Sequence, residues 1–265
     1  MKPIPGSVVL AFGGVSGIVV LGLIVLATPR NAPNRLDVLC AVVLAPNVQA
    51  AAADFERKTG LQMVVQAGGS GALLNQIKMK PSGDLFVPAD AGYLDDDAGL
   101  FASRVRIGRL TPVLAVPGGN PKNVLSLEDA VARGLRIGFA NPETAAIGRV
   151  AKGALKARGQ WEATSRAITV MKPTVGDVSA DLLLGATDVA VVWDTTIDTI
   201  NASAGAANQR LTAVIDPAFD GAYGEVVGAV LRSSRHPERA AQFLGFLAES
   251  QPDLPASPAG DAITP

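Results

Sequence analysis

Apolar residues in the first third of the chain form short runs that alternate with helical patterns. Leu36–Val43 and Leu61–Val65 are extended apolar runs, and Gly83–Val87 is a third. Between the first two, Pro46 begins a helical pattern that Gly60 ends, because proline fits the first helical turn and glycine the left-handed position after the last. Strands that alternate with helices of this length predict parallel βαβ units.

The same alternation continues through the rest of the chain. Ser126 is a suitable N-cap for a short helix, Asn141 to Thr144 begin a helical pattern through Lys156, and Pro237–Glu249 is amphipathic. A chain of 265 residues is long enough for one large domain or for two lobes of about 100 residues each. The remaining predicted elements are a helix from Asp177 to Leu184 and the strands Leu110–Val116, Leu135–Ala140, Ile168–Met171, Val189–Val192 and Val226–Leu231.

The stretch Gln66–Leu74 places a glycine-rich turn between a predicted strand and a predicted helix. It reads Gln-Ala-Gly-Gly-Ser-Gly-Ala-Leu-Leu, with Ser70 expected at the helix cap. The unpaired N–H groups and the dipole of such a helix start favour an anion. Two more helix starts follow strands, near Val43–Pro46 and at Glu143–Gly148, and in parallel sheets such starts meet at one crevice. A tight turn that binds no ligand is the alternative interpretation of this pattern.

The N-terminus carries an apolar segment long enough to cross a membrane. Ser7–Thr28 is 22 residues without a charge, which as a helix spans about 33 Å and exceeds the usual core of a signal peptide. We predict an uncleaved membrane anchor, with a cleaved signal ending near Ala27 as the alternative. Residues 1–35 then form this segment and a linker, the chain after Pro33 lies outside the cytoplasm, and residues 251–265 form a disordered tail.

Composition and charge argue against several functions. The 23 basic and 24 acidic residues leave no electrostatic footprint for nucleic acid, and 5% aromatic residues are too few for a base-stacking surface. Cys40 lies in an apolar strand and His236 precedes a proline at a helix start, so neither indicates a nucleophile. No His/Cys cluster has metal-ligand spacing, and Asp95–Asp97 lacks the spacing of a calcium loop. The sequence therefore predicts neither an enzyme nor a protein with a cofactor or metal cation.

Six stretches in a consistent order carry a family resemblance. They are Ala50–Gly60, Gly69–Ile77, Gly83–Asp90, Val116–Pro121 with Ser126–Asp129, Asn141–Thr144 with Gly148, and Ala154–Lys156 through Gly159–Trp161. Together they resemble the periplasmic molybdate/tungstate-binding proteins of ABC transporters. The resemblance covers about Leu36 to Ser250 and implies an α/β type II periplasmic binding-protein fold. That fold has two lobes, each a mostly parallel sheet flanked by helices.

The resemblance also implies a domain organisation and a mode of action. Residues 36–109 and 223–250 would form lobe one, and residues 110–222 would form lobe two. A small oxyanion would be held between the lobes by backbone N–H groups and hydroxyl side chains, without a cationic residue. The protein would be a periplasmic or otherwise extracytoplasmic monomer that delivers the anion to an ABC permease. The alternative is a membrane-anchored sensing or scaffold module of the same fold that does not serve transport.

Ligand-binding positions follow from the resemblance residue by residue. Ser70 would contribute a hydroxyl, and Ile147 and Val178 would contribute backbone N–H groups from lobe two. Val43 stands where the family has a serine and Trp193 where it has a tyrosine, so two hydroxyls are missing and the identity of the anion is open. A tryptophan at this strand end is also typical of packing between lobes. The complete set is Val43, Gly69, Ser70, Gly71, Ile147, Val178 and Trp193.

Overall fold

The computed structural model describes residues 34–206 and 209–250. The predicted helix over Ser7–Thr28 and the predicted tail over residues 251–265 lie outside these ranges. Within them, no helix combines the length and the apolar character that crossing a membrane requires.

Ten strands and nine α-helices are present within the described ranges. In chain order the strands are β1 (Arg35–Ala41), β2 (Gln62–Gly68), β3 (Leu85–Val87), β4 (Phe101–Leu110), β5 (Pro112–Pro117), β6 (Ile137–Ala140), β7 (Ile168–Lys172), β8 (Val189–Trp193), β9 (Leu211–Val214) and β10 (Gly224–Leu231). The helices are α1 (Ala45–Thr59), α2 (Ser70–Met79), α3 (Gly92–Asp95), α4 (Leu127–Ala132), α5 (Ala146–Ala157), α6 (Trp161–Ala167), α7 (Val175–Leu183), α8 (Asp194–Ser203) and α9 (Pro237–Glu249).

The strands form two five-stranded sheets with the same internal arrangement. Their orders are β2-β1-β3-β10-β4 and β7-β6-β8-β5-β9. In each sheet the third strand runs parallel to the second and antiparallel to the fourth. The predicted two-sheet α/β fold is confirmed, but the sheets are mixed rather than mostly parallel, because β10 and β5 run against their neighbours. We call residues 34–110 with 224–250 the first-sheet region, and residues 112–214 the second-sheet region.

Two helices with apolar faces join the beginning and the end of the first-sheet region. Helix α1 has Pro46 in its first turn and ends at Gly60, whose φ of 69° lies in the left-handed region, as the sequence predicts. Helix α9 has the predicted bounds. The ring of Phe243 on α9 meets the ring of Phe55 on α1 nearly edge-on, with 5.3 Å between centroids. This contact packs the last described helix against the first one.

Strand β4 is the longest strand that the hydrophobic pattern does not predict. It is an edge strand of the first sheet and pairs with β10 alone. Ser103, Arg104 and Arg106 are exposed, while Phe101 and Leu110 are buried at its ends. Charged residues on an edge strand are common because they discourage pairing with another chain. Because of these charged residues, β4 lacks the continuous apolar run from which the other strands are predicted. Helices α6 and α8 and strand β9 are not among the predicted elements either.

A buried aspartate precedes the central strand of each sheet and ties it to its parallel neighbour. Asp84 precedes β3, and its carboxylate accepts a hydrogen bond from the backbone N–H of Asp37 at 2.9 Å. Asp188 precedes β8, and its carboxylate accepts hydrogen bonds from the backbone N–H and the guanidinium of Arg136, at 3.0 and 2.5 Å. Lys122 lies 3.0 Å from the same carboxylate. These hydrogen bonds, led by those from Arg136, hold the pKa of Asp188 well below its ordinary range.

We expect Asp188→Asn to lower the free energy of unfolding at pH 7 by about 1–3 kcal/mol, because charge-assisted hydrogen bonds are lost. The pKa of Asp188 is lower in the folded than in the unfolded state. Its ionised form therefore stabilises the fold above the unfolded value of about 3.9, and this contribution disappears as the pH falls through the folded value.

Urea unfolding over a pH series tests this expectation. The deficit of the variant should be full at neutral pH and should shrink below about pH 4. The control Asp198→Asn removes an exposed carboxylate of α8 and should change stability by less than about 0.5 kcal/mol. A deficit of constant size at every pH would contradict the account.

Candidate ligand-binding site

A cavity lies where the two regions meet. Its volume is about 230 Å³, counting the part that is open to solvent. The first-sheet region contributes the segments Ala41–Val43 and Gly68–Ser70, and the second-sheet region contributes Ala145–Ile147 and Thr174–Val175. Ala89 and Trp193 complete the lining. None of these lining residues carries an ionisable side chain, so any charge on a ligand would be met by dipoles alone.

Uncapped helix starts supply those dipoles. Gly69 is the N-cap of α2 and Ala145 is the N-cap of α5, and neither makes a side-chain capping bond. The first N–H groups of a helix lack partners within the helix. Helix α5 begins at Ala146 rather than at the predicted Asn141, because the Asn141 carboxamide and carbonyl oxygens accept the N–H groups of Glu143 and Thr144 in a turn. That turn brings the start of α5 to the cavity.

Ser70 is buried beside the cavity with its hydroxyl proton free. It is the first residue of α2 and not the cap, because Gly69 has the extended conformation of an N-cap. Its exposed fraction is 1%, and its Oγ accepts a hydrogen bond from the N–H of Ala89 at 3.2 Å. A hydroxyl that accepts in this way keeps one proton to donate. Ser70 can therefore donate to an anion in the cavity.

The glycines around Ser70 allow the two regions to approach closely. A Cβ on Gly69 would lie less than 3.0 Å from the carbonyl oxygen of Thr144, and a Cβ on Gly71 would come equally close to that of Glu143. The N–H of Gly71 donates to the carbonyl of Thr144 at 3.0 Å. Gly71 is therefore a contact between the two regions, and its N–H already has a partner outside the cavity.

Five of the seven predicted positions line this one cavity. They are Val43, Gly69, Ser70, Ile147 and Trp193. The other two, Gly71 and Val178, do not. The N–H of Val178 donates to the carbonyl of Thr174 inside α7, and its side chain lies in the core with no exposed surface.

Thr174 and Val175 line the cavity, whereas the family resemblance had assigned this place to Val178. The Thr174 Oγ accepts the N–H of Asp177 at 3.2 Å and donates to its carboxylate at 2.7 Å. This is a capping interaction at the start of α7. The pattern Thr174-Val175-Gly176-Asp177 is a sequence signal that could have located the helix start at Val175, two residues before the predicted start at Asp177.

Trp193 both packs and lines the cavity. Its exposed fraction is 1%, and it is the largest fully buried side chain in the described part of the chain. A Cβ on Gly224 would lie 2.7 Å from the edge of the indole ring and less than 3.0 Å from the carbonyl oxygen of Ala89. The indole therefore requires a glycine at the start of β10.

Neither Cys40 nor His236 is among the residues that line the cavity. Cys40 is fully buried in β1 as predicted, and burial raises the pKa of its thiol far above the ordinary value. His236 caps α9 through its backbone. Across the described ranges, no group of three or more His, Cys, Asp and Glu side chains is placed to hold a metal ion.

Two mixed sheets with a cavity between them, where helix starts from both sheets meet, are the architecture of the type II periplasmic binding-protein fold. Residues 36–252 match the family of bacterial extracellular solute-binding proteins, and the chain belongs to this family. A Haemophilus influenzae protein, named only as a binding protein, is 26% identical over 206 residues. The match covers 74% of this chain and 78% of that protein.

Solved structures share the fold. The periplasmic molybdate-binding protein of Azotobacter vinelandii superposes with a TM-score of 0.66 and 22% identity, over 80% of this chain and 92% of that one. A periplasmic thiamin binding protein superposes with a TM-score of 0.71 and 19% identity, over 86% of this chain and 85% of that one. At such identities the likeness shows the fold and leaves the ligand open.

We expect Gly224→Ala to lower the free energy of unfolding by about 1–3 kcal/mol, because the new Cβ forces the Trp193 ring and the Ala89 carbonyl to move. The displaced indole should also change the intrinsic tryptophan fluorescence of the folded protein. Urea unfolding followed by fluorescence measures both effects. The control Gly245→Ala adds a Cβ to α9 where no atom lies within 4 Å, and it should stabilise slightly. Equal stability of the two variants would contradict the packing described here.

Proposed function

We propose that this chain is the extracytoplasmic substrate-binding protein of an ABC transporter, and that it binds a small oxyanion of the molybdate or tungstate type. Residues 36–109 with 223–250 and residues 110–222 would act as two lobes that close on the anion and present it to a permease. Membership of a solute-binding family supports the binding role. The choice of an oxyanion rests on the cavity.

One observation carries this choice: helix starts from both regions converge on a cavity whose lining residues have no ionisable side chain. Unpaired N–H groups and helix dipoles favour a negative ligand. A cationic ligand would need carboxylates or carbonyl groups in their place. The free hydroxyl proton of Ser70 adds a side-chain donor to these backbone groups.

The same lining favours an anion that carries no proton. Hydrogen phosphate has a P–OH group that needs an acceptor, and an unpaired donor in a buried site costs about 1–3 kcal/mol. The lining residues include no carboxylate to accept it. Molybdate, tungstate and sulfate are fully deprotonated at neutral pH, so we expect them to bind more tightly than phosphate.

Val43 and Trp193 motivate a second candidate, a sensing module of the same fold that does not serve transport. Both side chains line the cavity without a hydroxyl. The absence of one hydrogen bond to a charged ligand costs about 1.5–3 kcal/mol, which is roughly a 10- to 100-fold loss of affinity. A binding protein weakened in this way would respond to high concentrations of the anion rather than scavenge it.

Calorimetric titration of the purified chain with molybdate, tungstate, sulfate and phosphate tests the proposal. We expect saturable binding of at least one deprotonated oxyanion. Ser70→Ala should weaken that binding by roughly 10- to 100-fold, because one hydroxyl donor to the charge is lost. The control Ser179→Ala removes a buried hydroxyl of α7 that donates to the Val175 carbonyl and lies outside the cavity lining. No heat with any of the four anions, or equal weakening by the two variants, would refute the site.

Closure is tested separately with Gly71→Ala. Alanine is preferred over glycine within a helix by about 0.5–1 kcal/mol, which offsets only part of the cost of the new contact, so the free energy of unfolding should fall by about 1–2 kcal/mol. The added Cβ collides with the Glu143 carbonyl, so the affinity for the anion bound by the wild type should fall at least about tenfold. Gly153→Ala is the matched control, since a Cβ there meets no atom within 4 Å. Unchanged affinity in Gly71→Ala would mean that binding does not require this close approach.

A further inference from the structure

The three carboxylates of the acidic run Asp95–Asp97 form ion pairs with basic residues on three different elements. Asp95 pairs with Arg104 on β4 at 2.5 Å, and Asp97 pairs with Lys78 on α2 at 3.0 Å. Both of these partners belong to the first-sheet region, like the run itself. The middle carboxylate, that of Asp96, has a different partner.

Asp96 pairs across the boundary between the two regions. Its carboxylate lies 2.6 Å from a guanidinium nitrogen of Arg149 on α5, in the second-sheet region. Arg149 also approaches the carboxylate of Asp90 to 3.5 Å, and its guanidinium lies 4.7 Å from the centroid of the Tyr93 ring. Gly92 completes the enclosure, because a Cβ there would lie 2.8 Å from a guanidinium nitrogen. We call the set of Arg149, Asp90, Tyr93 and Asp96 the Arg149 clasp.

Two members of the clasp follow cavity-lining segments along the chain. Arg149 follows the Ala146–Gly148 segment at the start of α5, whose N–H groups are the proposed anion donors. Asp90 follows Ala89, whose N–H donates to the Ser70 hydroxyl. The clasp therefore joins Asp90, which follows the first-sheet part of the proposed anion site, to Arg149, which follows the second-sheet part.

We propose that Arg149 is a positioning residue that holds the two halves of the binding site together through Asp96 and Asp90, without contacting the ligand. The inference rests on the proposed function in one respect, since it assumes that the two regions separate and rejoin during binding.

The geometry separates Arg149 from an ordinary surface ion pair. An isolated exposed pair contributes little, because two flexible side chains must be ordered in water. Arg149 instead contacts two carboxylates and an aromatic face at once, and its side chain is only 35% exposed. A planar guanidinium fork suits such an arrangement, whereas an ammonium group offers only a point charge.

Hydrogen exchange provides a reporter of separation that needs no ligand. The Gly71 N–H donates across the boundary to Thr144, whereas the Leu73 N–H donates to Gly69 within the first turn of α2. Separation of the two regions exposes the Gly71 amide alone, whereas fraying of α2 exposes the amides of both Gly71 and Leu73. The ratio of their exchange rates, measured by NMR on the 265-residue chain, therefore follows separation.

In Arg149→Gln and in Asp96→Asn, we expect Gly71 to exchange about threefold to tenfold faster relative to Leu73 than in the wild type. Arg149→Lys should give an intermediate ratio, because the charge remains and the fork is lost. The matched controls Asp95→Asn and Asp97→Asn remove neighbouring carboxylates whose partners lie in the first-sheet region, so their ratios should equal the wild-type ratio. The exchange ratio of the double variant Arg149→Gln/Asp96→Asn should exceed that of either single variant by no more than about twofold, because both changes remove the same interaction.

Two results would overturn the inference. One is an unchanged ratio in both Arg149→Gln and Asp96→Asn. The other is an equal increase in all three aspartate variants, which would assign the effect to the stability of the acidic run. Neither result depends on a ligand, so the clasp can fail while oxyanion binding succeeds. The absence of binding in the calorimetric panel, with the expected exchange ratios, would contradict the proposed function alone.

Discussion

The close contact between two stretches of backbone is the constraint on which the rest of the site depends. The start of α2 reaches the turn before α5 so closely that side chains at Gly69 and Gly71 would collide with main-chain carbonyls. The N–H of Gly71 then donates directly to Thr144. Only glycine permits this approach at both positions. Because the two helix starts meet here, both contribute residues of their first turn to the lining of the same small cavity.

A site built from backbone dipoles has consequences for selectivity. N–H groups at helix starts are fixed by the helices themselves and do not titrate, so the cavity offers the same donors across the physiological pH range. The charged side chains stand outside it, with Arg149 among acidic residues of the first-sheet region. The cavity can therefore favour negative charge without a buried cation, whose desolvation would be costly when the site is empty. Under the proposed function, small differences in hydroxyl content, as at Val43, would determine how strongly each anion binds.

The sequence predicts the parts of the fold that depend on local signals. Helices α1 and α9 and the glycine turn before α2 follow from proline, glycine and apolar spacing, which act over a few residues. Strand β4 is not predicted, because its position at the edge of the sheet allows an exposed charged face in place of an apolar run. The direction of β10 also depends on long-range pairing. For these reasons the mixed character of the sheets becomes visible only in the three-dimensional structure.

The candidate site shows the same division between local and long-range information. Ser70 could be located because the helix start that carries it is readable in the sequence, whereas Ile147 follows from the family resemblance, and both line the cavity. Val178 is displaced because the helix begins at Val175, behind the Thr174 cap. The partners of Gly71 and Arg149 lie far away in the chain, so no local pattern predicts that these residues bridge the two regions.

Anomalous diffraction from tungsten, in crystals of the chain grown with tungstate, tests the central claim most directly. We expect one dominant peak in the cavity, within hydrogen-bonding distance of the Ser70 hydroxyl and of backbone nitrogens at the start of α5. The absence of a peak there, or peaks only on basic side chains at the surface, would contradict it.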